Sequence, residues 1–208
     1  MVKKTVWICL VGIIAAVANG LAEEKGIKKM DKLTVNCTKP VTKISPLLYG
    51  IFFEDINHAG DGGLYAELIR NRSFEGDETP EAWSLVVKPP ASARLSLDGI
   101  NKINAKKNHS LRVRIGRTEG GSVGLVNEGY WGIPAKAGQE YVFSLSIKSG
   151  GDFKGKLTVV LESKTGTVYA QGEIDNLANE WKRISLNLKS TATDPAAKLV
   201  IYFSAPGT

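Results

Sequence analysis

Polar side chains that can bind or activate a substrate follow an apolar run in the first third of the chain. They are Glu54, Asp55, Asn57 and His58, directly after residues 47–53. The apolar run predicts a strand over residues 47–56 that is buried on both faces, as in parallel sheets. In α/β barrels, functional side chains lie at the C-terminal ends of strands, so we expect this segment to border a pocket.

Glu54 and Asp55 are consecutive, so in an extended strand they point in opposite directions and cannot form a catalytic pair. One of them would face the pocket, where a carboxylate suits hydrogen bonding to neighbouring sugar hydroxyls. The alternative for Glu54 is an ion pair with a residue such as Arg70. For Asn57 and His58, capping of the loop is an alternative to ligand contact.

The elements around these residues predict a strand, a loop and a helix. Gly60, Gly62 and Gly63 end the strand, and from Leu64 the apolar positions form one stripe of a short helix. An alternating lead strand is expected over residues 33–38. A complete eight-stranded α/β barrel takes about 250 residues, so we interpret residues 23–80 as an orphan strand-loop-helix unit of a truncated barrel.

Residues 81–208 have a different pattern, in which short alternating runs are separated by Gly, Asn and Asp. Eight strands are predicted, over residues 93–97, 110–115, 122–126, 140–148, 155–163, 168–174, 181–188 and 198–204. This spacing without a helix is typical of a jelly-roll β-sandwich, which makes the fold mainly β. We place the domain boundary at Glu81 or Trp83.

The first 22 residues are typical of a secretory signal peptide, with Lys3 and Lys4 before an apolar run and cleavage expected after Gly20 or Ala22. The expected location is therefore secreted or periplasmic; an uncleaved anchor is the alternative. Cleavage would lower the formal charge from +6 to +4 and leave Cys37 as the single cysteine. No intrachain disulfide, metal site or cofactor is expected, nor any nucleic-acid or membrane partner after cleavage.

The sequence resembles the α-L-arabinofuranosidases of glycoside hydrolase family 51. Residues 49–75 carry the strongest resemblance, beginning Tyr49-Gly-Ile-Phe-Phe-Glu54. Four shorter segments resemble the carbohydrate-binding-module-like domain inserted near the start of the barrel in many of these enzymes. They are residues 108–113, 129–133, 136–144 and 179–182, and the matched region covers roughly residues 33–208.

The resemblance implies a retaining glycosidase that removes terminal arabinofuranosyl groups from arabinan or arabinoxylan, with Glu54 binding substrate hydroxyls. The two catalytic glutamates of the family lie on later barrel strands, so we expect no catalytic residue in this chain and no activity from it alone. The sandwich is also expected to lack its last strand, which would leave a gap in one sheet or an unpaired edge.

Exposed aromatic rings can stack on sugars, which makes Tyr130 and Trp131 candidates because they lie in a loop between glycines. For Trp131, packing against the barrel is an equal alternative. A non-catalytic glycan-binding β-sandwich is the competing function for the whole chain. The sequence does not indicate an oligomeric state.

Overall fold

The computed structural model describes Thr34, Thr38, Gly50 and residues 42–48, 54–75 and 78–208. The chain divides into two compact units, Met1–Ile51 and Phe52–Thr208. The described part of the first unit contains a 3-10 helix, Pro46–Leu48. The second unit contains ten strands, numbered in chain order, and no α-helix among its described residues. The predicted signal segment and most of the predicted lead strand lie outside the described residues.

The larger sheet is antiparallel. Its path is β1 (Trp83–Lys88), β4 (Ser122–Asn127), β10 (Asp194–Phe203), β7 (Leu157–Glu162) and β8 (Val168–Ile174), and β5 (Ile133–Ala135) pairs with the start of β10. Strand β4 is paired on both sides, with Leu125 opposite Leu85 of β1 and Ile201 of β10. Two partners fix its register, because a slip of one residue would turn its buried face toward solvent.

The second layer consists of two separate antiparallel pairs. They are β2 (Ser92–Asp98) with β3 (Ser110–Arg117), and β6 (Glu140–Ile147) with β9 (Lys182–Lys189). A tight turn leads from β1 to β2, and a short connection leads from β8 to β9. Strands β2 and β9 therefore form the outer edges of this layer, and β3 and β6 face each other across its middle.

Alternating apolar side chains fill the space between the layers. On the larger sheet, Val123, Val159 and Ile201 are buried, and on the second layer Ile115 and Phe143 join the same apolar cluster. Burial of apolar surface on both inner faces stabilises a sandwich, since one sheet alone would leave its face in water. The predicted jelly-roll sandwich is confirmed in this arrangement of antiparallel strands.

All eight predicted strands are present, with ends within a few residues of the expected positions, and two strands were missed. Strand β1 was missed because Val86, an outward and exposed residue, interrupts the polar-apolar alternation between Leu85 and Val87. Strand β5 has only three residues, and Pro134 at its centre is a residue that sequence patterns assign to edges and turns.

The predicted strand and helix of a barrel unit are wrong for the described residues. Leu47 is 92% exposed in a 3-10 helix, and residues 54–56 begin a turn, with the Ile56 amide bonded to the Glu54 carbonyl. Residues 49 and 51–53 of the predicted strand lie outside the described residues. Residues from Leu64 form turns, with Asn71 and Phe74 at positive φ. A strand buried on both faces needs parallel neighbours, which the described chain does not contain, and so short an apolar stripe does not nucleate a helix alone.

Strand β1 begins at Trp83, one of the two positions predicted for the domain boundary. However, residues 54–75 fall in the same compact unit as the sandwich. The division into residues 23–80 and 81–208 therefore stays a prediction.

Candidate functional site

Residues 54–60 form a tight turn that exposes the predicted polar side chains. The Asp55 Oδ1 atom accepts a hydrogen bond of 2.8 Å from the Gly60 amide, which closes the turn. Asn57 and His58 both adopt left-handed backbone conformations, with φ of 52° and 59°, which Asn and His tolerate better than most residues. Loop geometry thus accounts for the backbone of Asn57 and His58, and Asp55 caps the turn.

Glu54 is exposed at the start of this turn. Its carbonyl accepts a hydrogen bond of 2.9 Å from the Ile56 amide, and no described residue forms an ion pair with its carboxylate. Arg70, the alternative partner considered for it, is paired with Glu81. The Glu54 carboxylate is therefore not used by the Arg70 side chain.

Three of the five candidate residues lie together in an aromatic cluster formed by His58, Tyr130 and Trp131. The centre of the His58 ring lies 5.1 Å from the centre of the Tyr130 ring and 6.0 Å from that of the Trp131 ring. The ring centres of Tyr130 and Trp131 are 6.0 Å apart. These separations lie in the range of favourable aromatic contacts. Trp131 remains 66% exposed, so the cluster offers a ring face to solvent.

Glycines permit this close arrangement. The Tyr130 ring lies where a side chain at Gly62 would be, since a β-carbon there would be 2.6 Å from the ring. Gly132 has φ of +98°, and a β-carbon on it would be 2.5 Å from the Cα atom of Ala196. The loop that presents Tyr130 and Trp131 is therefore packed directly against two stretches of backbone.

A charged group borders the cluster. The Arg72 guanidinium lies 3.3 Å from a Glu67 oxygen, 3.7 Å from an Asp61 oxygen and 4.9 Å from the centre of the Tyr65 ring. Burial, and then the negative charges of Asp61 and Glu67, raise the pKa of Tyr130. At neutral pH Tyr130 is therefore a neutral phenol that can donate and accept hydrogen bonds.

Sequence reasoning missed the residue that ties this region to the sandwich. Asn127, at the end of β4, is fully buried. Its Oδ1 atom accepts hydrogen bonds from the amides of Arg70 (3.3 Å) and Gly129 (2.9 Å), and its Nδ2 atom donates to the Arg70 carbonyl (2.9 Å). The only signal in the sequence is an Asn at a strand end before a Gly-containing turn, a pattern too common to single it out.

A depression of about 200 Å³ adjoins the aromatic cluster. Its walls include Glu67, Tyr130, Trp131, Pro134 and Pro195. Aromatic and apolar walls with one carboxylate suit a sugar ring, whose C–H faces are apolar and whose edges carry hydroxyls. The carboxylates beside it, Asp61 and Glu67, both contact Arg72, so this arrangement does not resemble a general acid paired with a free nucleophile.

The described residues also bear on metal binding and membrane insertion. They contain no group of three His, Cys, Asp or Glu side chains arranged to hold a metal ion. Nor do they include a helix long and apolar enough to cross a membrane.

Comparison with curated proteins and solved structures confirms the resemblance to α-L-arabinofuranosidases. The chain is 39% identical over 137 residues to probable α-L-arabinofuranosidase A of Aspergillus flavus, covering 65% of this chain and 21% of that protein. It is 36% identical over 176 residues to α-L-arabinofuranosidase 1 of Arabidopsis thaliana, covering 79% of this chain and 26% of that protein. No protein-family model matches.

A solved structure gives the same result. The arabinose-bound α-L-arabinofuranosidase MgGH51 matches with a TM-score of 0.68 and 32% identity, over 77% of this chain and 27% of that chain. The chain thus spans about a fifth to a quarter of the curated relatives that it matches. The relatives are glycosidases, and the part of them that this chain matches is mostly β-sandwich.

Proposed function

We propose that this chain is part of a secreted, retaining α-L-arabinofuranosidase that removes terminal arabinofuranosyl groups from arabinan or arabinoxylan. The observation that carries the proposal is the similarity to the Arabidopsis enzyme over 79% of the chain. Any continuous stretch of that length in 208 residues includes residues 54–131. The similarity therefore extends over the turn at Glu54 and the aromatic cluster alike.

The proposed role of these residues is to hold the sugar. Trp131 and Tyr130 would contact the C–H face of an arabinose-containing glycan, and Glu54 would accept hydrogen bonds from its hydroxyls. The acid/base and the nucleophile of a retaining glycosidase stand about 5–5.5 Å apart, and we place both outside this chain. Secretion through the signal segment at residues 1–22 is part of the same proposal.

The first experiment measures hydrolysis of an aryl α-L-arabinofuranoside by the purified 208-residue chain. We expect no turnover above the uncatalysed rate, because the proposal places both catalytic carboxylates outside this chain. Measurable turnover that persists through repurification would contradict the assignment of the catalytic pair to another segment. Sequencing of the DNA after the Thr208 codon is an independent check. An open frame that encodes further strand and helix pairs with two glutamates would support the proposal.

The second experiment tests Glu54 in an active enzyme that contains this segment. Glu54→Gln should lower kcat/KM by about 10- to 150-fold, the equivalent of 1.5–3 kcal/mol for a hydrogen bond to a charged group. Glu119→Gln is the matched control, since Glu119 is an exposed carboxylate in the turn between β3 and β4. Equal kcat/KM values for the two variants would remove Glu54 from the site.

The exposed ring of Trp131 favours a second candidate function, glycan binding by the sandwich without catalysis. Titration of the chain with arabinoxylan oligosaccharides tests it directly. Trp131→Ala should weaken binding at least about fivefold, since stacking of this kind contributes about 1 kcal/mol or more. Val142→Ala, which removes another exposed apolar side chain on β6, should leave binding unchanged.

A further inference from the structure

The net positive charge of the chain is concentrated in one hairpin, which consists of strands β2 and β3 and the loop between them. Residues 92–117 contain seven of the 27 Lys and Arg residues but one of the 21 Asp and Glu residues. The rest of the chain is therefore balanced, with 20 of each, and the formal charge of +6 resides in this hairpin. Such a local excess of one sign attracts ligands of the opposite sign.

The outward surface of this hairpin is made of arginine and serine. Residues that are opposite each other on paired strands share a face. The three outward pairs, each with at least one arginine, are Ser92–Arg117, Arg94–Arg114 and Ser96–Arg112. All six side chains are exposed, and we call these six residues the arginine face. At about 3.4 Å per residue, the face is about 14 Å long from the first pair to the last.

The central pair of the arginine face places two like charges opposite each other. Arg94 and Arg114 are direct partners across the two strands, so their β-carbons are about 4.5–5.5 Å apart. Like charges at directly opposite positions destabilise a sheet. Because both side chains are exposed, neither contributes to the core between the layers. A pair that lowers stability and supports no packing indicates a role in binding.

Three of the four arginines on this face have no ion-pair partner among the described residues. They are Arg94, Arg114 and Arg117. The fourth, Arg112, is paired with Asp98, whose carboxylate is buried. The one acid of the hairpin is therefore used within the hairpin, and three guanidinium groups are left for a ligand.

One acid outside the hairpin approaches this face. Asp152 and Arg114 both line a depression of about 600 Å³, together with Lys154. The Asp152 carboxylate accepts a hydrogen bond of 2.9 Å from the Thr208 amide and is not ion-paired with Arg114. Lys154 adds a positive charge at the same place, so the excess of positive charge continues past this end of the arginine face.

The chemistry of the arginine face suits carboxylates that are repeated along a polymer. A planar guanidinium donates two parallel hydrogen bonds to one carboxylate, a geometry that lysine lacks. Three unpaired arginines within about 14 Å match several carboxylates in succession, and the serine hydroxyls can bond to sugar hydroxyls between them. The face carries no aromatic ring, so it lacks the stacking contact that neutral glycans and unpaired bases use.

We propose that the arginine face binds an acidic polysaccharide in which successive sugars are uronic acids, with Arg94 and Arg114 as its central contacts. The choice of a polysaccharide rests on the proposed glycosidase function, whereas the acidic character of the ligand rests on the face itself. Binding here uses charge, and the aromatic cluster uses ring contacts, so the two sites recognise different parts of a glycan. Together they would hold the chain on a polysaccharide that carries both uronates and arabinofuranosyl groups.

The test is a calorimetric titration of the 208-residue chain with an oligomer of polygalacturonic acid. Its methyl ester has the same length without the charge and is the ligand control. We expect binding of the acid but not of the ester, and weaker binding at higher ionic strength, since exposed charges are screened by salt.

Variants locate the binding on the arginine face. Arg94→Gln combined with Arg114→Gln should weaken binding of the acid about tenfold, the scale of two exposed ion pairs. Lys164→Gln combined with Lys182→Gln is the matched control, because it removes two exposed charges outside the face and should leave binding unchanged. The Tm of the arginine variant should equal or exceed that of the parent, since the like-charge pair is relieved. A lower Tm would overturn the inference that the pair is kept for a ligand.

A charge-conserving variant separates carboxylate recognition from general attraction. Arg94→Lys combined with Arg114→Lys keeps both charges but removes the planar forks, and binding should fall about threefold or more. Binding equal to that of the parent would overturn the proposed contact. So would equal binding of the acid and its ester, an equal loss in the lysine control, or tighter binding of a DNA oligonucleotide of the same charge.

Failure of this proposal is distinguishable from failure of the proposed function. Arabinoxylan titration of the chain and hydrolysis of an aryl α-L-arabinofuranoside by an active enzyme use ligands without uronate. No binding of the galacturonate oligomer, with either of those results positive, would overturn the acidic site and leave the glycosidase assignment standing.

Discussion

Replacement of Asn127 by Ala should weaken the attachment of residues 61–75 to the sandwich. The side chain is fully buried and makes three hydrogen bonds, two with the backbone of Arg70 and one with the amide of Gly129. Alanine offers none of these partners. The Arg70 amide and carbonyl would then lose their partner in a partly buried place, where water replaces it poorly.

The expected loss follows from the number of bonds. At 0.5–1.5 kcal/mol for each of three hydrogen bonds, Asn127→Ala should lower the free energy of unfolding by about 3 kcal/mol. For a chain of this size, about 2–4 °C per kcal/mol gives a decrease in Tm of roughly 6–12 °C. Asn187→Ala is the control, because Asn187 is an exposed residue on the outer face of β9.

Thermal unfolding followed by circular dichroism measures the global effect, and amide hydrogen exchange at Arg70 measures the local one. Both should change in Asn127→Ala and neither in Asn187→Ala. A Tm within about 1 °C of the control would refute the estimate. Lower Tm with unchanged exchange at Arg70 would refute the attachment itself, since the damage would then lie within the sheet.

Three further predictions concern stability. Burial raises the pKa of Asp98, but hydrogen bonds from Ile100 and Asn101 in the following turn outweigh it and hold the pKa below its usual value of 3.8. The stability that the ionised carboxylate contributes should therefore be lost as pH falls below about 4. Asp98→Asn should reduce this pH dependence of the free energy of unfolding, measured by urea titration. Gly132→Ala should destabilise the fold by at least about 1 kcal/mol more than Gly138→Ala, because both have positive φ but only the first meets backbone; equal unfolding midpoints would disprove this. Lys156→Met should cost at most about 1 kcal/mol by the same measurement, since its ion pair with Glu173 is half-exposed.

The sandwich was predictable because its signals are local. Strands such as Leu157–Glu162 and Lys182–Lys189 alternate or run apolar between turn residues, and these patterns require no knowledge of neighbours. The barrel unit was not predictable in the same way. An apolar run such as residues 47–53 fits a buried strand only when parallel strands flank it, and the chain has none among its described residues.

The candidate site was predictable in part, for a related reason. Residue type singled out Tyr130, Trp131 and His58. Their contact, however, joins two loops that lie more than seventy residues apart in the sequence. The buried side-chain amide of Asn127 holds the segment around Arg70, and its partners there are the backbone amide and carbonyl of Arg70. Backbone partners leave no trace in the identity of the residue that supplies them, so sequence patterns do not reveal them.

The end of β4 positions both halves of the candidate site. Asn127 holds the segment that follows the Glu54 turn, and two residues later the Gly129–Gly132 turn presents Tyr130 and Trp131. Because β4 is hydrogen-bonded to β1 and β10, its register is fixed from both sides. A change at this strand end would therefore move the turn and the rings together, whereas a change at Trp131 alone would remove a ring and leave the frame intact. Comparing Asn127→Ala with Trp131→Ala in glycan titrations thus separates loss of the frame from loss of the contact.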